Sequence, residues 1–254
     1  MKVITICNQK GGVGKTTTAT ALARGLVLKG RRVLLVDCDP QGNSTDSYRA
    51  SIEDGSPTLA DLLYSDEPAT SCVQHTEYGD ILASDPLLSA AEKYLTGIGG
   101  FYKLKKRLEP LLPLYDHIIV DTPPNLGILL QNALIATEGV IIPVTSGRYA
   151  LQGMSQLTDT LAEVKSQPNP YLEVLGLLMV KHRPWLSITK EVRKGLPAVA
   201  DTLGTKVFHS TIRDAVAVEK AQAARMPVFD FDSSCNPAKD YTSFLYELET
   251  RRII

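Results

Sequence analysis

Read as a string of apolar and polar positions, the chain alternates between two patterns. Short, nearly unbroken apolar runs recur at residues 3–7, 32–37, 80–83, 117–121, 140–144, 174–180 and 206–208. Runs of this length, rich in Val, Ile and Leu and without polar alternation, are expected of strands buried on both faces of a parallel sheet. Between them, helical patterns cover residues 15–28, 58–64, 87–95, 101–112, 126–136, 151–164, 187–203, 215–225 and 237–252. TGIGG at 96–100 reads as a flexible connection and DCDPQGNST at 37–45 as a loop. Pro197 predicts a kink or a break in the 187–203 helix, because it lacks the N–H and its ring crowds the preceding turn. Strands alternating with helices over the whole length predict an α/β fold: a mostly parallel twisted sheet with helices on both faces, in one domain spanning 1–254. In such folds ligands bind at the carboxyl ends of the strands.

The first strand run opens onto CNQKGGVGKTTT, residues 7–18, just before the first helical stretch. Gly11, Gly12 and Gly14 remove Cβ atoms that would keep backbone N–H groups off an anion, and a helix starting near Lys15 aims its partial positive end at the same place. Lys15 adds a full charge and Thr16 a hydroxyl suited to Mg2+. The pattern is a phosphate-binding loop of the GxxxxGK[ST] kind, with Gln9 where the first glycine would stand and an extra Lys10 before the glycines. Asp37, Asp39 and Asp121 fall at or just past strand ends on the same edge of the sheet. One such aspartate alone reads equally well as a cap or turn residue. Three beside a phosphate loop suit Mg2+ with its waters, and a carboxylate that orients an attacking water.

NQKGGVGKTTT resembles the deviant Walker A motif of the ParA/MinD family of ATPases, and the Asn8-Gln9 version is closer to the ParA branch. IIVDTPP is similar to the family's Walker B and switch II, and VLLVDCDPQGNST to its switch I. GVIIPVTSGRYALQGMSQL, NPYLEVLGLLMV, KEV at 190–192 and PVFDFD at 227–232 resemble ParA segments in the expected order, so the resemblance covers essentially the whole chain. It implies a P-loop NTPase fold, Mg2+-dependent ATP hydrolysis, and ATP/ADP and Mg2+ as cofactors. Nucleotide contacts are implied for Lys10, Gly11, Gly12, Val13, Gly14, Lys15, Thr16 and Thr17. Lys10 is implied to reach across a dimer interface to the partner's nucleotide, as an arginine finger does in other NTPases. By the same resemblance Thr16, Asp37 and Asp121 serve the Mg2+ site, and the catalytic set is Lys10, Lys15 and Asp39, with Asp39 positioning the lytic water. Where many ParA proteins read roughly TMYD after the sixth strand, this chain has VKHR at 180–183, so base contacts do not carry over there and Pro227 is the remaining candidate. No NKxD-type guanine motif occurs, which favours ATP over GTP.

Composition narrows the partners. The 254 residues are 44% hydrophobic, enough for a large core, and the formal net charge is −1, so any contact with nucleic acid must come from a local patch. Lys103, Lys105, Lys106 and Arg107 read as the solvated face of an amphipathic helix. Lys181, Arg183, Lys190, Arg193, Lys194 and Arg213 fall where ParA relatives carry DNA-binding arginines, and of these the resemblance implies non-specific DNA contacts for Lys181, Arg183, Arg193, Lys194 and Arg213. Four scattered cysteines without CxxC and four histidines without ligand spacing predict reduced thiols and no metal beyond Mg2+. MKVITIC is too short for a signal sequence and no apolar run approaches the ~18 residues of a membrane span. Tyr241, Phe244, Leu245 and Leu248, at helical spacing, predict a helix packed on the core rather than on lipid. The expectation is a cytoplasmic, nucleoid-associated protein without a membrane partner. Because the chain starts at the phosphate-loop strand, a Soj-like form without an N-terminal helix-turn-helix is expected. The resemblance implies an ATPase of plasmid or chromosome partition: a homodimer with ATP that binds DNA non-specifically and is driven to hydrolyse by a ParB-like centromere-binding protein. The alternatives are a ParA-like ATPase that positions a non-DNA cargo, a MinD-like membrane-associated regulator, and a metabolic P-loop ligase or iron-sulfur reductase.

Overall fold

The computed structural model describes residues 1–146 and 154–254, with every side chain among them except that of Glu92. In chain order the elements are β1 (Val3–Ile6), α1 (Lys15–Leu28), β2 (Val33–Asp37), α2 (Asn43–Ser47), α3 (Leu59–Tyr64), β3 (Gln74–Thr76), β4 (Gly79–Leu82), α4 (Ala91–Tyr94), α5 (Gly97–Phe101) and α6 (Lys103–Leu108). They continue with β5 (His117–Asp121), α7 (Ile128–Ala136), β6 (Gly139–Thr145), α8 (Met154–Ser166), β7 (Glu173–His182), α9 (Ser187–Thr202), β8 (Val207–Arg213), α10 (Val216–Ala223), α11 (Val228–Phe231) and α12 (Asn236–Thr250). The strands form one sheet in the order β3-β4-β2-β5-β1-β6-β7-β8, parallel throughout except for the β3–β4 pair. β1, which leads into the glycine loop, therefore lies between β5 and β6 near the middle of the sheet.

Side chains alternate across each strand, so a strand of β-branched and leucine residues feeds two cores at once. In β2, Val33 and Leu35 join a cluster with α1 and α12, whereas Leu34 and Val36 join one with α3 and α6 on the opposite face. A third cluster packs α7, α8 and α9 on β6 and β7. Tyr241, Phe244, Leu245 and Leu248 of α12 are all buried in the first cluster.

Several local expectations are corrected. Residues 43–47 of the expected loop form α2, and most of TGIGG lies in α5 rather than in a flexible link. The 87–95 stretch divides into a 3-10 turn, Pro86–Ala90, followed by α4. β3 is a three-residue edge strand that the apolar pattern does not reveal, and β8 runs five residues beyond Phe208, to Ile212 and Arg213. α9 runs through Pro197 as one helix; Thr189, Val192, Leu196 and Ala200 are buried along one side of it before and after the proline, so packing holds the segment where local propensity would interrupt it. Residues 151–153 of the expected 151–164 helix lie outside the described residues, and α8 is described from Met154.

Candidate functional site

The glycine loop is shaped by backbone demands that other residues meet poorly. Gly12 and Gly14 sit at φ of 70° and 79°, in the left-handed region where a Cβ would cost about 1–2 kcal/mol. Gly14 is the N-cap of α1, and no side chain caps that helix, which leaves its first N–H groups open to the cleft. Asn8 braces the loop from behind: its Nδ2 donates to the Pro143 carbonyl at 2.7 Å, and its Oδ1 accepts from the Lys10 N–H at 3.0 Å. Lys15 is only 6% exposed, its Nζ donates to the Lys10 carbonyl at 3.3 Å, and it makes no ion pair among the described residues. Burial lowers the pKa of this ammonium, while the charges of Asp121 and Asp39 act the other way. Lys10, by contrast, is exposed, lies outside the lining of the cleft, and its ammonium has no hydrogen-bond or ion-pair partner among the described residues.

Facing the loop is a buried acid pair. β2 and β5 run in register with Asp37 opposite Asp121, and neither is exposed to solvent. Asp37 accepts from the Asp39 N–H at 3.1 Å and from both the N–H and the hydroxyl of Thr45 at 2.8 Å. Asp121 accepts from the Ser44 hydroxyl at 2.8 Å, from the Thr122 N–H at 3.0 Å and from the Thr16 hydroxyl. Burial pushes both carboxyls above the ordinary range, and the Asp121 charge pushes Asp37 further. Asp39 lines the cleft, accepts from the Gln41 N–H at 3.1 Å, and is pinned through its carbonyl by the Ser84 hydroxyl at 2.6 Å.

These groups border a cleft of about 510 Å³. The loop and the start of α1 form its floor, Asp39 and α2 one wall, and the ends of β7 and β8 with α10 the other. An unpaired buried ammonium and open helix N–H groups suit a polyphosphate. A divalent cation beside Thr16 would relieve the repulsion between Asp37 and Asp121, which stand behind the lining with the hydroxyls of Thr16, Ser44 and Thr45 on them. The donor set therefore fits a metal-bound nucleotide.

The remaining sequence candidates scatter. Pro227 is buried as the N-cap of α11 and does not line the cleft. Lys181 and Arg213 do line it. Arg213 is gripped by Asp240 through its N–H at 2.9 Å, Nε at 2.9 Å and Nη2 at 2.6 Å, and Arg183 pairs with Asp214. Arg193 and Lys194 are exposed on α9, together with Lys190, and none of the three side chains has a hydrogen bond or ion pair among the described residues. The sequence offered no site role for Ser44 and Thr45, used Asn8 only as a signature of the loop, and placed Tyr241 in the core, where its phenol also meets the Thr18 hydroxyl at 3.0 Å beneath the cleft. The hydroxyls of GNST at 42–45 were the visible signal for two of them.

A family model described as "AAA domain" matches residues 1–174. The chain is 35% identical over 253 residues to the chromosome partitioning protein ParA of Myxococcus xanthus, covering 98% of this chain and 88% of that one. It is 35% identical over 254 residues to the sporulation initiation inhibitor protein Soj of Bacillus subtilis, covering 97% and 98%. The crystal structure of cobyrinic acid a,c-diamide synthase from Mycobacterium smegmatis with bound ATP analogue and magnesium superposes with a TM-score of 0.85 at 30% identity, covering 99% of this chain and 96% of that one.

Proposed function

The chain belongs to the ParA family of partition ATPases, and from that premise we propose that it hydrolyses Mg2+-bound ATP while cycling between a monomer and an ATP-bridged homodimer. The observation that carries this reading is the contrast between two lysines. Lys15 is buried at the cleft floor, near Asp121 and Asp39 but in direct ion pair with no carboxylate among the described residues, while Lys10, five residues earlier, is exposed and outside its own cleft. The first serves phosphates bound in cis; a charge placed like the second is of use to a nucleotide held by another copy.

In this reading the N–H groups of Gly11, Gly12, Val13, Gly14, Thr16 and Thr17 cradle the phosphates. Thr16 would hold the metal, and Asp37 and Asp121 would support it from behind. The bound Mg2+ supplies charge neutralisation on the phosphate oxygens. Asp39, at the cleft wall, orients the attacking water. Arrangement and electrostatics carry such a reaction, since phosphoryl transfer asks for positioning and charge rather than covalent catalysis. The dimer binds DNA without sequence preference through Lys190, Arg193 and Lys194, which fall at i, i+3 and i+4 on one flank of α9. A ParB-like partner bound at a centromere stimulates hydrolysis and so release. Among the described residues no helix is long and apolar enough to cross a membrane.

The test is DNA retention and light scattering with no nucleotide, ADP-Mg2+ and ATP-Mg2+. Dimer and DNA binding are expected with ATP alone. Trp185, the one tryptophan of the sequence and 73% exposed just before α9, should change its emission when DNA binds. Equal DNA binding in all three states would overturn the nucleotide switch. The resemblance to the M. smegmatis structure makes a ligase the second reading; phosphate release that needs a small acid substrate, and ignores DNA and a ParB-like protein, would favour it.

A further inference from the structure

The two walls of the cleft are joined at their rim by a pair of arginines in an unusual backbone state. Arg49 directly follows Tyr48, the C-cap of α2, and Arg225 directly follows Ala224, the C-cap of α10. Both have positive φ, 51° and 54°, at the position past a helix end where glycine is favoured. Each side chain reaches the other helix. Arg49 donates through Nε to the Arg225 carbonyl at 3.0 Å and through Nη2 to the Ala224 carbonyl at 3.3 Å, two acceptors at the negative end of α10. Arg225 donates through Nε to Asp46 Oδ1 of α2 at 2.5 Å. Glu77 at 2.9 Å and the Tyr78 ring, whose centroid is 5.6 Å away, hold the Arg49 guanidinium in place.

The joined helices face the same cleft, α2 with Asn43, Asp46 and Ser47, and α10 with Val218, Glu219 and Gln222. α2 also carries Ser44 and Thr45, whose hydroxyls sit on Asp121 and Asp37. Beneath the rim a cavity of only about 10 Å³, at the limit of what one water occupies, lies between α1, Ser47 and α10, so the two walls nearly meet there. The contacts at the rim are polar and half-exposed, the kind that are individually weak and break readily.

We propose that Arg49 and Arg225 form a reciprocal clasp that holds α2 against α10, keeps Ser44 and Thr45 seated on the acid pair, and sets how fast bound nucleotide leaves. They are positioning residues, acting through α2 rather than on the nucleotide. The proposal rests on the nucleotide reading of the cleft given above.

The variants that separate this role from mere stability are Arg225→Gly and Arg49→Gly. Glycine accepts the left-handed backbone, so the fold is retained, while the guanidinium is gone. Dissociation of a fluorescent ATP analogue with Mg2+, chased with unlabelled ATP, should quicken about fivefold in each, which corresponds to roughly 1 kcal/mol. Asp46→Asn should match Arg225→Gly, and the double variant should be no faster than either single change. In the protein without nucleotide, amide exchange in residues 43–48 should rise about as much, with that of β1 unchanged. Arg225→Lys should restore part of the wild-type rate. Wild-type dissociation rates in both glycine variants would overturn the clasp while leaving the nucleotide reading intact. Failure of the wild type to bind the analogue at all would instead remove the nucleotide reading and the clasp with it.

Discussion

Thr45→Val probes the acid pair with almost no change of shape. The Thr45 hydroxyl makes two bonds in a fully buried place: it donates to Asp37 at 2.8 Å and accepts from the Ser84 N–H at 2.7 Å. Valine fills the same volume and does neither. A hydrogen bond to a buried carboxylate is worth about 2 kcal/mol, and the orphaned Ser84 N–H costs about 1 kcal/mol more, so the full loss is about 3 kcal/mol. How much of it is seen depends on pH. Asp37 titrates above its ordinary value because of burial and the nearby Asp121 charge. The folded state therefore keeps this proton to higher pH than the unfolded chain, and stability is greatest at low pH and lost as pH rises through the folded pKa. Removing the Thr45 donor raises that pKa further, which deepens the loss on the alkaline side only. Urea unfolding with a chelator present should show about 3 kcal/mol of destabilisation at pH 9 and about 1 kcal/mol at pH 5, where the carboxyl is protonated and only the Ser84 N–H is left unmatched. Thr45→Ser should recover most of it. A loss equal at both pH values, or below about 0.5 kcal/mol at pH 9, would refute the assignment of the hydroxyl to an ionised Asp37.

Lys15→Ala should abolish ATP binding and turnover by calorimetry and phosphate release, whereas Lys10→Ala should keep monomer binding and lose hydrolysis; equal loss of binding in both would contradict the division of roles. Asp39→Ala should retain ATP and run as a stable dimer on DNA by light scattering, because a group that orients water contributes to the transition state and not to ground-state binding; a monomer, or wild-type turnover, would refute it. Gly25→Ala should destabilise by about 1–3 kcal/mol in chemical unfolding, since a Cβ there would lie 2.4 Å from Leu245 Cδ1 and 3.1 Å from Phe229 on the α12 side of the core. Arg213→Ala should leave the salt dependence of DNA binding nearly unchanged, because its guanidinium is committed to Asp240, whereas Arg193→Ala with Lys194→Ala, which removes two cations from each protomer of the dimer, should reduce the slope by about 4; the reverse result would return Arg213 to the DNA surface.

The parts legible in the sequence are those whose cause is local. α1 begins and ends where three glycines, a helix-forming run and Gly30 put it, and β5 spans the apolar run 117–121 that stops at its aspartate. The parts that were not legible depend on partners distant in the chain. α2 has only five residues, too few to be stable alone, and is held by bonds from Ser44 to Asp121, 77 residues away, and from Thr45 to Asp37. β3 exists because β4 offers an edge, not because QHT has strand propensity. The segment across Pro197 stays helical because its buried flank is anchored on both sides of the break.

Charge shows the same division with a functional consequence. Six basic residues between Lys181 and Arg213 suggest a broad cationic patch, yet Arg183 and Arg213 are neutralised by Asp214 and Asp240, 31 and 27 residues away, and Lys181 turns to the cleft. On the proposed reading, what remains for DNA on one protomer is the flank of Lys190, Arg193 and Lys194. With a net charge of −1 behind it, a patch of three cations releases few counterions and binds weakly at physiological salt. Two such flanks held rigidly in one dimer double the exponent in the salt dependence, which converts a weak site into a strong one without any new contact. In the proposed cycle, two of the six cations are committed to aspartates of the same protomer and the free flanks act together only in the dimer, so DNA would be released whenever the dimer parts, and the sparseness of the patch is what would let nucleotide state control it.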